Sequence, residues 1–208
     1  MVKLIDRDFR VFREVERWRY CLGRHIKVLG NFSTQRTCDR RLRLLIEENF
    51  LNRKKMIYGI AGVYTLTYKT KVLISASKKQ DKIRLDNIIH DIAVLDTAIY
   101  LIQKMNFDWN DIITEKQLHQ NDGFGNRKHC PDFIINKNGK TIAVEIELTE
   151  KSNFRFEANI KSNFLEYDKQ LWIVPSNTTK IAKVLEAKKT SYPNIEILEL
   201  SEVKNHVL

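Results

Sequence analysis

The sequence predicts an α/β protein of two modules, a basic and mostly helical front followed by a mixed sheet flanked by helices. Three observations carry this. Residues 1–80 hold 19 Lys and Arg against 7 Asp and Glu, a net +12, whereas residues 81–208 hold 17 against 19, a net −2. The front alternates short helical stripes with turn residues, while the rear alternates helical runs with β-branched strands. Between them, Ser75 to Gln80 is polar and aperiodic, the composition of a linker. The expected division is 1–75, a linker over 76–81, and 82–208, and a chain of 208 residues suffices for two small cores.

Composition narrows the function classes. No run approaches the roughly 20 apolar residues of a membrane span, and Met1-Val2-Lys3-Leu4-Ile5 meets charge at Asp6 without a signal-peptide pattern. The expectation is a cytoplasmic protein with no membrane insertion. Cys21, Cys38 and Cys130 are far apart and form no Cys-x-x-Cys, which points to buried free thiols rather than a disulfide framework or a zinc site. The clustered positive charge is the electrostatic footprint of nucleic-acid contact. A basic membrane-surface helix is the rival, but the charges spread over several short elements.

In the front module, Asp6 and Asp8 offer helix N-caps, and Phe9, Val11, Phe12, Val15, Trp18 and Leu22 make a helical apolar stripe, with Arg10, Arg13, Arg17 and Arg24 opposite. Gly23 to Leu29 predicts a short second helix that carries His25 as a packed or half-exposed residue rather than a ligand, and Gly30-Asn31 ends it. Ser33 caps a third helix with Cys38, Leu42, Leu45 and Ile46 inward and Thr34, Gln35, Arg36, Arg40 and Arg43 outward. A strand from Phe50 to Ile57, a Gly59…Gly62 turn and a strand from Val63 to Thr67 complete the order of a winged helix-turn-helix. The third helix would then enter the major groove, with Gln35 and Arg36 reading bases and Arg40 and Arg43 beside them. Arg53, Lys54 and Lys55 on the wing suit phosphates. For each of these cations the competing reading is a solvated face.

In the rear module, a helix of about seven turns from Asp81 is patterned by Ile83, Leu85, Ile88, Ile89, Ile92, Leu95, Ala98, Ile99 and Ile102, and carries His90, Asp91 and Asp96. A short strand around Ile112 and Ile113 and a glycine loop over Asp122 to Gly125 follow. Phe133 to Ile135 and Ile142 to Leu148 then form a hairpin, with turn chemistry from Asn136 to Lys140 and Gly139 free to take positive φ. A helix from Lys151 to Tyr167, a strand from Gln170 to Val174, a helix from Thr178 to Lys188 and a strand from Ile195 to Leu200 complete the chain.

The hairpin bears three acids. Asp132 opens one strand, while Glu145 and Glu147 share a face of the next, opposite Val144, Ile146 and Leu148. Carboxylates on an apolar strand lose hydration at a cost of several kcal/mol unless paired or kept wet. Mg²⁺ or Mn²⁺ suits such oxygens. The competing reading is a hairpin whose acidic face looks into solvent.

Pro131-Asp132…Glu145-Ile146-Glu147 resembles the Pro-Asp…(Asp/Glu)-x-Lys nuclease core, with Glu147 where the pattern has Lys. In that pattern the lysine orients the attacking water and stabilises charge on the phosphate. Lys151, Arg155 and Lys161 are candidate substitutes; otherwise Glu147 is a further metal ligand or general base, or the fold is inactive. The order of elements resembles the restriction-endonuclease-like core, which implies a mixed central sheet with helices on both faces. It also implies that His90 leans from the first helix toward the acids, a helix-surface histidine being the alternative.

With Leu4-Ile5-Asp6-Arg7-Asp8, Thr37-Cys38-Asp39-Arg40-Arg41-Leu42, Val63-Tyr64-Thr65-Leu66-Thr67, His90-Asp91-Ile92-Ala93-Val94 and the acidic hairpin in sequence, the chain resembles the replication-relaxation family of plasmid proteins. More narrowly, it resembles the MobC-class mobilisation relaxases. The resemblance implies a metal-dependent endonuclease that nicks one strand at a plasmid transfer origin, with Mg²⁺ or Mn²⁺ on Asp132, Glu145 and Glu147. The implied partners are double-stranded and nicked plasmid DNA, a relaxosome accessory protein and a coupling protein. The commoner relaxase class uses a His-hydrophobe-His cluster and a nucleophilic Tyr, and none of the five histidines here forms such a pair. Metal-held carboxylates are the remaining chemistry. Tyr20, Tyr64, Tyr100 and Tyr167 are equal candidates for a covalent link, with core packing as the competing role. The alternative function is a DNA-binding regulator or relaxosome accessory protein with an inactive nuclease fold.

Overall fold

A computed structural model describes residues 2–77, 83–105, 107–121, 129–149 and 152–207. The architecture is mixed α/β with two sheets, as the periodicities predict, and the chain divides into compact units Met1–Leu95 and Asp96–Leu208.

The first unit contains α1 (Asp6–Arg17), β1 (Cys21–Leu22), α2 (Gly23–Leu29), α3 (Gln35–Glu47), β2 (Leu51–Lys54), β3 (Val63–Leu66) and α4 (Tyr68–Leu73). Its sheet has the order β1-β3-β2 and is antiparallel throughout. Val11, Phe12 and Val15 form the buried stripe of α1, and Phe12 stacks on Phe50 with ring centroids 5.9 Å apart. Leu22, expected to continue that stripe, belongs to β1 instead. Ile5 occupies the N-cap position, and Asp8 serves α1 from within its first turn, its carboxylate accepting the Ile5 N–H at 2.9 Å. Asp8 can be fully buried because Nε of Arg41 on α3 meets it at 2.9 Å.

Thr34, not Ser33, caps α3, since the Thr37 N–H donates to its Oγ1 at 3.1 Å. Of the two placements expected for His25, the packed one is found, and its Nδ1 accepts the Leu22 N–H at 3.2 Å to close the first turn of α2. The strand expected over 50–57 is shorter. The Phe50 N–H still bonds back to Leu45 O at 2.8 Å, so Phe50 finishes α3, and beyond Lys54 the chain leaves the ladder for a loop around Gly59. Gly59 takes φ +79°, a conformation that favours glycine.

α5 (Ile88–Met105) has 18 residues, about five turns rather than seven. Of the expected earlier start, residues 81 and 82 lie outside the described residues. Just after them the Asn87 N–H bonds Arg84 O at 3.1 Å and Arg84 pairs with Asp86 at 2.8 Å, a closed turn in which Leu85 is 56% exposed. Ile88 and Ile92 of α5 join Tyr20, Leu22 and Val63 in a core cluster of the first unit.

The second unit continues through a 3-10 turn (Trp109–Asp111), β4 (Ile112–Thr114), α6 (Glu115–Leu118), β5 (Phe133–Lys137), β6 (Lys140–Ile146), α7 (Asn153–Glu166), β7 (Lys169–Val174), α8 (Lys180–Lys188), β8 (Ile195–Glu199) and α9 (Leu200–Val207). The sheet runs β4-β5-β6-β7-β8, antiparallel through β6, with β7 and β8 parallel to their neighbours. Asn138 and Gly139, both at positive φ, close the β5–β6 hairpin in the two-residue turn that Asn-Gly favours. Phe156 and Ile160 of α7 and Ile181, Ala182 and Leu185 of α8 pack with Trp172 and Val174 of β7. α9, where Leu200 and Val203 are buried, extends the chain beyond the last element the sequence predicts. Among the described residues no helix is long and apolar enough to cross a membrane.

Candidate functional site

Strand register brings two of the acids together. β5 and β6 pair Phe133 with Val144, so Asp132, one residue before β5, comes opposite Glu145. Oδ2 of Asp132 accepts the Ile146 backbone N–H at 2.7 Å. On its other side Glu145 is in register with Trp172 of β7, and α7 packs over that face, its Phe156 edge-on to Trp172 at 5.1 Å. Phe156, Asn159, Ile160 and Asn163 are the buried stripe of α7. Two turns beyond Phe156, Nδ2 of Asn163 therefore reaches the acid and donates to Oε1 of Glu145 at 2.9 Å. Glu147 continues past β6, its N–H bonded to Ile173 O at 2.9 Å. Glu145 and Glu147 are only 4% and 3% exposed, so the solvated acidic face is ruled out.

His129, which heads the hairpin segment, completes the group with Nε2 at 2.7 Å from Oε1 of Glu145. Burial raises the proton affinity of Glu145 above the usual carboxylate range, the hydrogen bond from His129 opposes this, and the negative charge of Asp132 adds to it. Oδ1 of Asn163 is buried with no hydrogen-bond partner among the described residues. Close by, Sγ of Cys130 lies 3.8 Å from Nδ1 of His119, whose Nε2 is 3.5 Å from Glu115 of α6. Burial, and then the charges of Glu166, Cys130 and Glu145, push the Tyr167 phenol up to about 12, so it stays neutral at physiological pH.

The oxygen donors suit a hard divalent cation, and hydrogen bonds from His129, Asn163 and the Ile146 amide brace two of the carboxyls as ligating carboxylates are braced. By donor chemistry the residues fit. Among the described residues, however, no three His, Cys, Asp or Glu side chains are gathered as a ready ligand set, and Oε1 of Glu145 and Oδ2 of Asp132 are already engaged. No family model matches the chain, and no curated protein or solved structure matches it.

Lys151 lies outside the described residues, and Arg155 and Lys161 of α7 are exposed. His90 belongs to the first unit, where its Nδ1 is 3.5 Å from Asp91. Gln35, Arg36, Arg40 and Arg43 all stand exposed on α3, with Nε2 of Gln35 donating to Asp39 at 2.7 Å. Arg53 and Lys54 of β2 and Lys55 after it are exposed as well, the Arg53 guanidinium 5.8 Å above the Tyr64 ring. Gly62 makes room for Arg53, since a Cβ there would come within 2.9 Å of its Nε. Beside them Tyr58 is 95% exposed, with Nζ of Lys55 5.6 Å from its ring.

Of the candidate tyrosines, Tyr167 lies in the second unit within reach of the Glu145 charge. Tyr20 donates to Asp91 at 2.9 Å within the core, Tyr64 is buried, and Tyr100 meets His206 edge-on. The cysteines are free thiols; Cys21 and Cys38 are buried as expected, and Cys130 is half-buried. Sequence reasoning assigned no role to His129 or Asn163. The available signals were a histidine three residues before Asp132 and an asparagine on the apolar stripe of α7.

Proposed function

We propose that the protein is a plasmid mobilisation relaxase, binding duplex DNA through its first unit and nicking one strand at a transfer origin with the acids of its second. The observation that carries this reading is the facing pair Asp132 and Glu145, set at the mouth of one strand and inside the next. They lie in a sheet antiparallel over three strands and parallel at the fourth, with α5 before it and α7 between β6 and β7. This layout supports a PD-(D/E)xK restriction-endonuclease-like fold.

The order of helices and strands in the first unit, with exposed Gln35, Arg36, Arg40 and Arg43 on α3 and exposed Arg53, Lys54 and Lys55 by the β2–β3 loop, supports a winged helix-turn-helix. Its excess of positive charge supplies the phosphate attraction.

Asp132, Glu145 and Glu147 would hold Mg²⁺ or Mn²⁺, which polarises the scissile phosphate and activates the attacking oxygen when bound. The Ile146 amide holds the carboxyl of Asp132 at the strand mouth, Asn163 and His129 orient Glu145, and the burial of Glu145 and Glu147 strengthens their electrostatic pull. The partners on this reading are double-stranded and nicked plasmid DNA, a relaxosome accessory protein and a coupling protein. A DNA-binding regulator with an inactive nuclease fold is the second reading, favoured by Glu147 standing where the pattern has Lys. Conversion of supercoiled plasmid carrying the cognate origin to open circles, with and without Mn²⁺, separates the two.

A further inference from the structure

The nuclease pattern has a basic side chain beside its acids, and Glu147 stands in that position here. Arg155 and Lys161 are exposed on α7, whereas His129 touches an acid directly, at 2.7 Å. We propose that His129, braced by Glu145 and Asn163, holds the attacking water in place of the missing lysine. The inference rests on the nuclease reading above.

A carboxylate only accepts hydrogen bonds, so Nε2 of His129 carries the hydrogen that points at Oε1 of Glu145. That contact selects the tautomer, because the neutral ring then keeps its lone pair on Nδ1. Nδ1 makes no hydrogen bond among the described residues and is the atom left to accept one from a water. A carboxylate that holds an imidazole in one tautomer and one orientation is a recurrent device for aiming the other ring nitrogen at a reacting group.

The brace extends one residue further. Nδ2 of Asn163 bonds the same oxygen of Glu145, so α7 helps to hold the acid that holds the ring. Exposure falls along this chain, the His129 side chain being 24% exposed and that of Glu145 5%. The ring therefore has an edge open to solvent, while the carboxylate that aims it is shielded. Independently, Oδ1 of Asn163 is buried and lacks a hydrogen bond among the described residues. A native protein rarely leaves such an acceptor unmet, and a bound water would satisfy it.

Three substitutions separate water-holding from mere bracing. His129→Asn retains an acceptor near the position of Nδ1 but cannot span to Glu145; His129→Gln reaches Glu145 but lacks Nδ1; His129→Ala has neither. Single-turnover nicking of supercoiled plasmid and the Mn²⁺-induced shift in melting temperature are measured on the full chain. We expect His129→Ala to nick about a hundredfold more slowly with the same KM for DNA and the same Mn²⁺ shift. His129→Asn should recover at least about tenfold over Ala, and His129→Gln should not. A Gln variant as active as wild type, an Asn variant no better than Ala, or an unimpaired Ala variant overturns the role of His129 while leaving the nuclease reading intact. A wild-type chain that leaves the plasmid supercoiled in Mn²⁺ overturns both.

Discussion

Oδ2 of Asp132 accepts the backbone N–H of Ile146 at 2.7 Å, a bond from the mouth of β5 to the last residue of β6. It fixes the first acid opposite the second. Hydrogen bonds to a charged acceptor are stronger than neutral ones, which helps to offset the repulsion between Asp132 and buried Glu145.

Charge removal at the acids separates catalysis from binding. Asp132→Asn, Glu145→Gln and Glu147→Gln keep shape and an acceptor but lose the charge that attracts a hard cation. Each should abolish nicking while DNA affinity, supplied mainly by the basic first unit, survives. The check is metal-dependent conversion of supercoiled to open-circular plasmid beside a thermal melt with and without Mn²⁺. Wild-type activity in all three, with no metal-induced shift, would remove the catalytic reading.

Glu145 also makes stability depend on pH. Burial raises its folded-state proton affinity above the unfolded value. The linked stabilisation is therefore present below the ordinary carboxylate range and is lost as pH rises through the raised folded value, at about 1.4 kcal/mol for each tenfold difference in proton affinity between the folded and unfolded chain. Without metal, Glu145→Gln should melt above wild type at about pH 8, and the gap should narrow by about pH 4. Melts showing the same gap at both pH values would contradict this.

Asp8 and Arg41 test the first unit. Asp8 is fully buried against the guanidinium, and removing one partner leaves an uncompensated charge. Arg41→Ala should cost on the order of 3 kcal/mol, the lower end for such a loss because Arg41 itself is partly exposed. Denaturant unfolding measures it, and a loss under about 1 kcal/mol would mean that water replaces the guanidinium.

DNA binding should divide into two kinds of contact. Lys54→Ala or Lys55→Ala should weaken all sequences alike and lower the slope of log affinity against log salt by about one. Arg36→Ala should instead cost about 1 to 3 kcal/mol on the favoured site and relax preference there. Competition binding over a salt series distinguishes them, and equal losses on every sequence for Arg36→Ala would refute base reading.

Much of the fold was legible because its signals are local. Asn138-Gly139 between β-branched runs specified the hairpin, and the two-residue period put Glu145 and Glu147 on one side of it. The α1 stripe and the uneven charge were equally readable. Short or irregular pieces were not: α4 has only six residues, too few for a period to show, and the start of α5 was lost to the turn at Arg84 and Asp86.

By itself, then, the sequence determined the mixed α/β class, the hairpin and its acids, and the basic front. Tertiary structure alone decided that His129 and Asn163 meet on one oxygen of Glu145, that both glutamates are buried, and that Asp8 is matched by Arg41. The partners in these contacts are 16, 18 and 33 residues apart. Helical and strand periods relate residues within about four positions of one another. Contacts at greater separation depend on which strands pair, in what register, and which helix face packs over them, and these are settled only when the core closes.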